Sequence, residues 1–291
     1  MTDDFNDSGS RPSRTIIGID WATQVGKRAA VAFTYQPNSS ITGVCKSHYP
    51  ENDNQEIWQD PVCSLIAVDV PFGWPREFVD LMSKQRGVPI NSVSIDRETD
   101  GLWFRQTDGI ALKETGKTPC SVSSDRIART AHSWGLTRTK HHLGSQIDVI
   151  GKMRTERGPT IIEVYPAATL AAFAKNDEQF RELRQKQDNK RKSRQERETI
   201  RKRRFEILCR QFEITLDDYD CTKDGESHTF DAMVAALTGL IYVCTIYGTG
   251  LKSKSGTNWI VRLPKLEERE TTQPEVEGWI FFPQPYTSDT P

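Results

Sequence analysis

Four carboxylates lie in short apolar segments of this sequence where an isolated charge would be costly. They are Asp20, Asp69, Glu163 and Asp231. The first two end apolar runs, Glu163 lies inside a third, and Asp231 lies in the first turns of an apolar helix predicted over residues 227–247. Burying a carboxylate costs free energy unless a partner compensates for it. The recurrence predicts that the four acids share one site.

The chemistry that suits such a set is divalent-metal binding. In open α/β sheets, ligands bind at the carboxyl ends of the strands, and acids that meet there repel one another unless a cation neutralises them. Mg²⁺ and Mn²⁺ prefer oxygen ligands and keep several waters, so a few carboxylates suffice. We predict that Asp20, Asp69, Glu163 and Asp231 together form a site for Mg²⁺ or Mn²⁺. Alternatively, Asp231 only favours the helix N-terminus through the helix dipole.

The elements that must position these acids form a mixed α/β sheet. Residues 15–20, 28–35 and 41–49 read as consecutive strands with tight turns, which predicts an antiparallel meander. Residues 65–70 are apolar on both faces, which is typical of a central strand parallel to its neighbours. Residues 160–164 form the next predicted strand.

Two stretches interrupt this pattern, and both are predicted to be insertions in a single domain that spans residues 15–283. Residues 86–120 contain several Gly and Pro residues and lack sustained periodicity. Residues 177–212 contain no Gly or Pro and predict two helices or one long hairpin that protrudes from the body. The flanking residues 1–14 and 284–291 are predicted to be a disordered tail and a loose tail.

Composition narrows the class of protein. The chain has 291 residues, a formal net charge of -1, 36% hydrophobic and 27% charged residues, which indicates a globular protein rather than a general nucleic-acid coat protein. None of the six cysteines forms a C-x-x-C pair, so the spacing does not predict zinc. Without an apolar leader in residues 1–14 or a membrane-length apolar run, we expect a cytoplasmic protein with no membrane partner.

Six motifs, taken in order, resemble those of one family, the predicted RNase H-like nucleases known as domain of unknown function 429. The motifs are Gly18-Ile-Asp20, Ala67-Val-Asp69-Val-Pro-Phe-Gly73, Arg105-Gln-Thr-Asp108, Glu163-Val-Tyr-Pro166, the helix from His228 to Asp231, and Glu277-Gly-Trp-Ile-Phe-Phe-Pro283. The resemblance covers about residues 15–283. It implies an RNase H-like fold, a five-stranded sheet with three antiparallel strands and then two parallel ones, flanked by helices.

The resemblance also implies roles for the acids. Asp20, Asp69 and Asp231 match the metal-binding acids that this fold carries on its first strand, fourth strand and late helix. Glu163 matches the Glu-Val-Tyr-Pro motif on the fifth strand, where it is either a ligand or a neighbour of the ligands. Because the activity of the family is itself inferred from its fold, the implied nuclease activity is an analogy.

Further residues are candidates for contacting a substrate. Arg105 and Asp108 either reach and orient a phosphate or form an ion pair within their loop. Tyr165 either stacks on a base or packs. His228 lies three residues before Asp231 on the same helical face, where it assists proton transfer, contacts phosphate or caps the helix.

A basic segment runs from Arg181 to Arg204 and contains twelve Lys or Arg and four Asp or Glu residues. Such a segment can bind a nucleic-acid backbone, since each cation that contacts a phosphate releases a counterion. Charge runs are also common on solvated helix faces, which is the other interpretation.

Together with the resemblance, these features predict a metal-dependent nuclease or phosphodiesterase in which Asp20, Asp69 and Asp231 hold Mg²⁺ or Mn²⁺ and Glu163 binds or orients water. One alternative is an ATP-using enzyme of the actin and sugar-kinase class, whose fold also begins with a strand that ends in Gly-x-Asp but needs two duplicated halves. Another is a non-catalytic nucleic-acid-binding subunit with the same fold.

Overall fold

A seven-stranded mixed sheet forms the centre of the protein. The structure, a computed structural model, describes residues 13–36, 41–46, 56–84, 100–123, 125–153, 158–184, 193–217 and 226–287. The strands are β1 (Arg14–Asp20), β2 (Ala29–Tyr35), β3 (Ile41–Lys46), β4 (Cys63–Asp69), β5 (Thr160–Val164), β6 (Ile214–Asp217), β7 (Leu251–Lys252), β8 (Asn258–Val261), β9 (Ile280–Phe281) and β10 (Pro283–Pro285).

The order of strands in the large sheet is β6-β3-β2-β1-β4-β5-β9. β1, β2 and β3 pair antiparallel, whereas β4 is parallel to β1 and β5 is parallel to β4. The five predicted strands therefore form the middle of the sheet, but the prediction of five strands was wrong, because the described residues contribute seven strands to this sheet. β6 adds parallel to β3 and β9 adds parallel to β5. These edge strands have four and two residues, too few to produce a readable apolar pattern.

Helices flank the sheet. They are α1 (Glu56–Gln59), α2 (Arg76–Lys84), α3 (Gln106–Thr115), α4 (Asp125–Lys140), α5 (Pro166–Asn176), α6 (Arg194–Phe212), α7 (Glu226–Ile246), α8 (Leu266–Thr272) and α9 (Pro274–Glu277). A smaller sheet of β10, β8 and β7 packs beside α7. The described residues thus form a mixed α/β fold.

The two faces of the sheet bury different clusters. One face packs against α7, whose side chains are buried almost all round, as its apolar composition predicts. The other face buries Trp21, Trp58 and Trp134, whose rings contact one another. Among the described helices, α7 alone is long and apolar enough to cross a membrane, but 83% of its apolar window is buried inside the protein, as in a core helix.

The described parts of the two predicted insertions contain helices, which replace the irregular structure predicted for the first and agree with the helical pattern of the second. Within residues 86–120, α3 is a ten-residue helix that buries Thr107, Asp108 and Thr115. Its buried face is largely polar, so the sequence shows no apolar periodicity there. A 3₁₀ helix (Glu178–Arg184) and α6 bury apolar side chains near the two ends of the basic segment. These side chains are Phe180, Leu183, Ile207, Leu208 and Phe212.

The predicted tails lie largely outside the described residues. At the N-terminus, β1 already begins at Arg14, and residues 1–12 are not described. At the C-terminus, β10 includes residues 284 and 285, so the ordered chain extends past residue 283.

Candidate active site

Asp20 and Asp69 are neighbours at the carboxyl ends of two central parallel strands. β1 and β4 pair in register from Ile16 onwards, and this register sets Asp20 opposite Asp69. Side chains alternate between the faces of a strand, so these two acids share a face with Gly18 and Ala67, on the side of α7. Both acids line a cavity of about 210 Å³ at this edge of the sheet. The two apolar runs thus place Asp20 and Asp69 side by side, as the sequence predicted.

Helix α7 lies directly on β1, and Gly18 allows this close approach. A Cβ atom at position 18 would overlap the carbonyl oxygen of Ala232 and the amide nitrogen of Ala236. The same helical face carries His228 one turn earlier, and its Nδ1 is 2.5 Å from Oδ2 of Asp20. The small residues of α7 and Gly18 thus set the distance between the helix-borne and the strand-borne groups.

Asp231 completes a concentration of negative charge. The pKa of Asp69 is raised well above its ordinary value, first by burial and then by the charges of Asp20, Asp231 and Glu163. The hydrogen bond with Asp20 raises the pKa of His228. A cation bound among these acids would relieve the repulsion between them.

The donor chemistry fits Mg²⁺ or Mn²⁺, and the geometry limits how many ligands act together. Among the described residues, no three His, Cys, Asp or Glu side chains are grouped so that they could hold a metal ion as they stand. Mg²⁺ is commonly bound by one or two carboxylates together with waters and substrate phosphates, so a pair of acids is sufficient. The registered pair of Asp20 and Asp69 is the part of the site that meets this requirement.

Glu163 projects to the other face of the sheet. Its neighbours Ile162 and Val164 belong to the cluster packed on α7. Ile161, two residues before Glu163, belongs to the cluster of Trp21, Trp58 and Trp134 on the opposite face of the sheet. Alternation therefore directs Glu163, whose register partner is Val68, away from the face of Asp69. Burial raises the pKa of Glu163, and Arg105 opposes this effect. Glu163 still lines the small cavity, but from the side opposite to α7.

Arg105 is fully engaged by protein groups. Its guanidinium donates to both oxygens of Glu163 at 2.7 and 3.0 Å, to both oxygens of Asp108 at 2.9 and 3.2 Å, and to the carbonyl of Glu277 at 3.0 Å. These five bonds use the five N–H donors that a guanidinium has. Of the two sequence interpretations, the ion pair describes this geometry, and a phosphate would have to displace a carboxylate to reach Arg105.

The loop after Asp69 is held by groups from distant parts of the chain. The amide of Phe72 donates to Glu163 at 2.8 Å, and its carbonyl accepts from Arg138 at 2.5 Å. Gly73 lies against the backbone at Val276 and Glu277, where a Cβ atom would overlap the Val276 carbonyl. Glu163 and the motifs around Arg105 and Glu277 therefore meet at the loop that carries the chain away from Asp69.

Sequence reasoning missed the side-chain role of Glu277 and the role of Arg138. The carboxylate of Glu277 accepts from the amides of Arg76 and Gln106, both at 2.8 Å, and so binds the first residues of α2 and α3. Its motif was visible in the sequence, but nothing there indicated a partner. Arg138 lies in the last turn of α4 without any local signal.

Tyr165 borders two cavities and is also packed. Its hydroxyl donates to the carbonyl of Thr118 at 3.3 Å, and its ring contacts an apolar cluster that includes Ala168 and Ile280. Burial is the main cause that raises its pKa. Tyr165 lines the small cavity with Asp69 and a larger one with Asp69 and Asp231. Both sequence interpretations, packing and contact with a ligand, are compatible with this position.

Parts of the basic segment are buried. Arg201 and Arg204 are 6% exposed, and Arg204 donates to the carbonyl of Leu183 at 3.0 Å. Arg203 pairs on the surface with Glu182 at 2.9 Å. Residues 185–192 lie outside the described residues, so the expected nucleic-acid contact over this whole segment stays a prediction.

Comparison with known proteins assigns the family. A family model described as "Protein of unknown function (DUF429)" matches residues 18–244. The chain belongs to the DUF429 family. The matched range includes Asp20, Asp69, Glu163 and Asp231, so the DUF429 match spans all four acids. No match was found among the curated proteins or among the solved structures. The matched range covers five of the six motifs, whereas Glu277-Gly-Trp-Ile-Phe-Phe-Pro283 lies beyond it. The family is described only as one of unknown function, so the match assigns no activity.

Proposed function

We propose that this DUF429 protein is a metal-dependent phosphodiesterase that cleaves nucleic acid. The observation that carries the proposal is the register of Asp20 with Asp69 at the ends of adjacent parallel strands. This pair faces a helix that presents His228 and carries Asp231. The strand order through the middle of the sheet, three antiparallel strands followed by two parallel ones, supports the RNase H-like analogy.

In this proposal the acids bind the cation. Asp20 and Asp69 would hold Mg²⁺ or Mn²⁺, with Asp231 beside them on α7. When bound, the cation supplies Lewis-acid activation of water and neutralises charge at the phosphodiester. Burial is the main cause of the raised pKa of Asp69, and the negative charges of Asp20, Asp231 and Glu163 add to it. These charges favour the binding of a cation and disfavour a phosphate that arrives without one.

The neighbouring residues position these acids. The raised pKa of His228 favours the protonated imidazole, which would donate to Oδ2 of Asp20, and the His228 side chain is 42% exposed to solvent. Glu163 and Arg105 hold the loop after Asp69 through the Phe72 amide. In this proposal Glu163 is a positioning residue, because its oxygens are engaged by Arg105 and Phe72 on the other face of the sheet.

The test is cleavage of labelled single-stranded DNA, single-stranded RNA and a chromogenic phosphodiester by purified protein in Mg²⁺, in Mn²⁺ and in EDTA. Asp20→Asn and Asp69→Asn keep the side-chain shape and remove the charge. We expect both to abolish metal-dependent cleavage, with circular dichroism spectra like that of the wild type. Asp217→Asn, at an exposed position on β6, is the matched control and is expected to retain full activity.

Full activity in either Asp20→Asn or Asp69→Asn would sink the proposal, since it would place the chemistry elsewhere. A wild-type protein that binds nucleic acid but cleaves none of the three substrates with either metal would favour a non-catalytic binding subunit. The kinase-like alternative gains no support from the described ranges, which contain one large sheet rather than two duplicated halves.

A further inference from the structure

A groove leads away from Asp69 and Asp231 along helix α5. Its cavity volume is about 910 Å³, and its wall follows one side of α5 from Tyr165 to Lys175. Ten residues of α-helix at 1.5 Å per residue make this wall about 15 Å long. The groove that begins at the two acids is therefore several times longer than one phosphate group.

The charges in this groove are separated by sign. The two acids are Asp69 and Asp231, and every other charged side chain that lines the groove is a cation. The cations are Lys113, Lys117, Lys175, Arg184 and Arg204. In the whole chain Lys and Arg number 39 and Asp and Glu number 40, so the basic wall is a local feature rather than a consequence of composition.

The cations come from different elements that converge on the groove. Lys113 lies in the last turn of α3, and Lys117 follows that helix. Lys175 lies in the last turn of α5 and donates to the carbonyl of Glu114 at 2.6 Å, which joins α5 to α3 at this end. Arg184 is exposed at the end of the 3₁₀ helix Glu178–Arg184, and Arg204 is buried behind it.

We propose that this groove binds the backbone of a single-stranded nucleic acid, which it leads into the acidic site. At about 3.4 Å per phosphate of a stacked strand, the 15 Å wall accommodates about four phosphates. A cavity of this volume is at the upper end of small-ligand sites, at about 300–1,000 Å³, and suits a short stretch of one strand rather than a duplex. Tyr165, where the acids and the groove meet, offers a ring to a base.

This inference rests on the proposed function for the acids at one end, but its test does not require cleavage. Binding of fluorescein-labelled 12-mers, oligo(dT) and oligo(U), is measured by anisotropy in EDTA over a range of salt concentrations. The groove variant combines Lys113→Ala, Lys117→Ala and Arg184→Ala. The control combines Lys152→Ala, Lys252→Ala and Lys254→Ala, which remove exposed lysines outside the groove lining.

Each phosphate contact contributes roughly 0.7 to the slope of log affinity against log salt for a single strand. We expect the groove variant to lower that slope by about 2 and to bind about tenfold more weakly at low salt, whereas the control binds like the wild type. Equal loss in both variants would overturn the inference. So would competition by a mononucleotide or by duplex DNA as effective as that by the unlabelled 12-mer.

The two proposals fail in different ways. A protein that binds single strands through the groove but does not cleave them in Mn²⁺ loses the proposed activity and keeps the groove. A protein that cleaves in Mn²⁺, with binding and KM unchanged in the groove variant, keeps the activity and loses the groove.

Discussion

Asp20 and Asp69 face each other across the parallel pair of β1 and β4 as register partners. Both strands end at these residues, so the two acids lie at the carboxyl ends of two central strands. Helix α7 packs over this end of the strands, where His228 contacts Asp20. Because acids brought together without a cation cost free energy, substitutions of Asp20, Asp69 and His228 should change the stability of the protein measurably.

Asp69→Asn is expected to stabilise the metal-free protein at neutral pH. The folded-state pKa of Asp69 is raised above its ordinary value of 3.8, so the unfolded state loses its proton first as the pH rises. The wild type therefore loses stability from about pH 4 up to the raised folded pKa, whereas the variant does not. In thermal melts in EDTA from pH 4 to 8, the melting temperature of Asp69→Asn should exceed that of the wild type by an amount that grows with pH. Each 1 kcal/mol of added stability raises the melting temperature by about 2–4 °C.

Saturating Mn²⁺ should reverse this ranking. Ligand binding stabilises the wild type by about 2.7 kcal/mol at a concentration of 100 Kd, and the variant has lost a ligand. Asp217→Asn should melt like the wild type throughout. A variant that melts below the wild type in EDTA at pH 7 would contradict the electrostatic account of the site.

His228→Asn is expected to lower stability in acid and to have little effect in alkaline solution. The bond with Asp20 raises the pKa of His228, so the stabilisation is fully present below the unfolded value of 6.5. It is lost as the pH rises through the folded value. Melting temperatures of wild type and variant in EDTA should converge between pH 6 and 9.

Asp20→Asn provides the control for His228. With the carboxylate neutralised, substitution of His228 should no longer produce a pH-dependent difference. A difference between the His228 variant and the wild type that is constant with pH would indicate a packing role instead of the ion pair.

Gly18→Ala is expected to destabilise the protein and to lower activity. The added methyl group would overlap the backbone of α7 at Ala232 and Ala236, which cannot yield as a flexible side chain would. Overpacking of this kind costs about 1–3 kcal/mol, occasionally more. The displaced helix also carries His228 and Asp231 away from Asp20. Urea unfolding and the cleavage assay measure the two effects.

Gly135→Ala is the matched comparison. Gly135 lies within α4, and a Cβ atom there would meet nothing within 4 Å. Replacement of a mid-helix glycine by alanine stabilises by about 0.5–1 kcal/mol. We expect the change in the free energy of unfolding to be negative for Gly18→Ala and positive for Gly135→Ala. Equal changes for the two variants would refute the close approach of α7 to β1.

Arg105→Leu is expected to cost about 3–5 kcal/mol, because it leaves Glu163 and Asp108 as buried charges without their partner. Glu163→Gln added to this variant should recover part of the loss, since it removes one stranded charge. Arg105→Lys should be intermediate, because an ammonium cannot bind both carboxylates with a planar fork. Urea unfolding of the three proteins gives the comparison.

Arg203→Leu removes one member of an exposed pair with Glu182 and should leave stability unchanged within error. A similarly small effect for Arg105→Leu would show that the buried network does not hold the loop after Asp69.

Much of the fold follows from local patterns in the sequence. The apolar runs that end on Asp20 and Asp69, and the long apolar segment from Ser227, correspond to β1, β4 and α7. These segments are readable because a strand or helix buried on all sides must be apolar throughout. The irregular stretch before Ser121 was not readable as α3, since the buried face of that helix consists largely of Thr and Asp.

The tertiary structure alone decided what each acid contacts. The sequence by itself determined which strands carry Asp20, Asp69 and Glu163 and that their ends lie at one edge. A strand that is apolar on both faces does not reveal the phase of its alternation, so the sequence could not show that Glu163 faces away from Asp69. Nor could it show that Arg105 would meet Glu163, because that pairing depends on how distant elements pack on the two faces of the sheet.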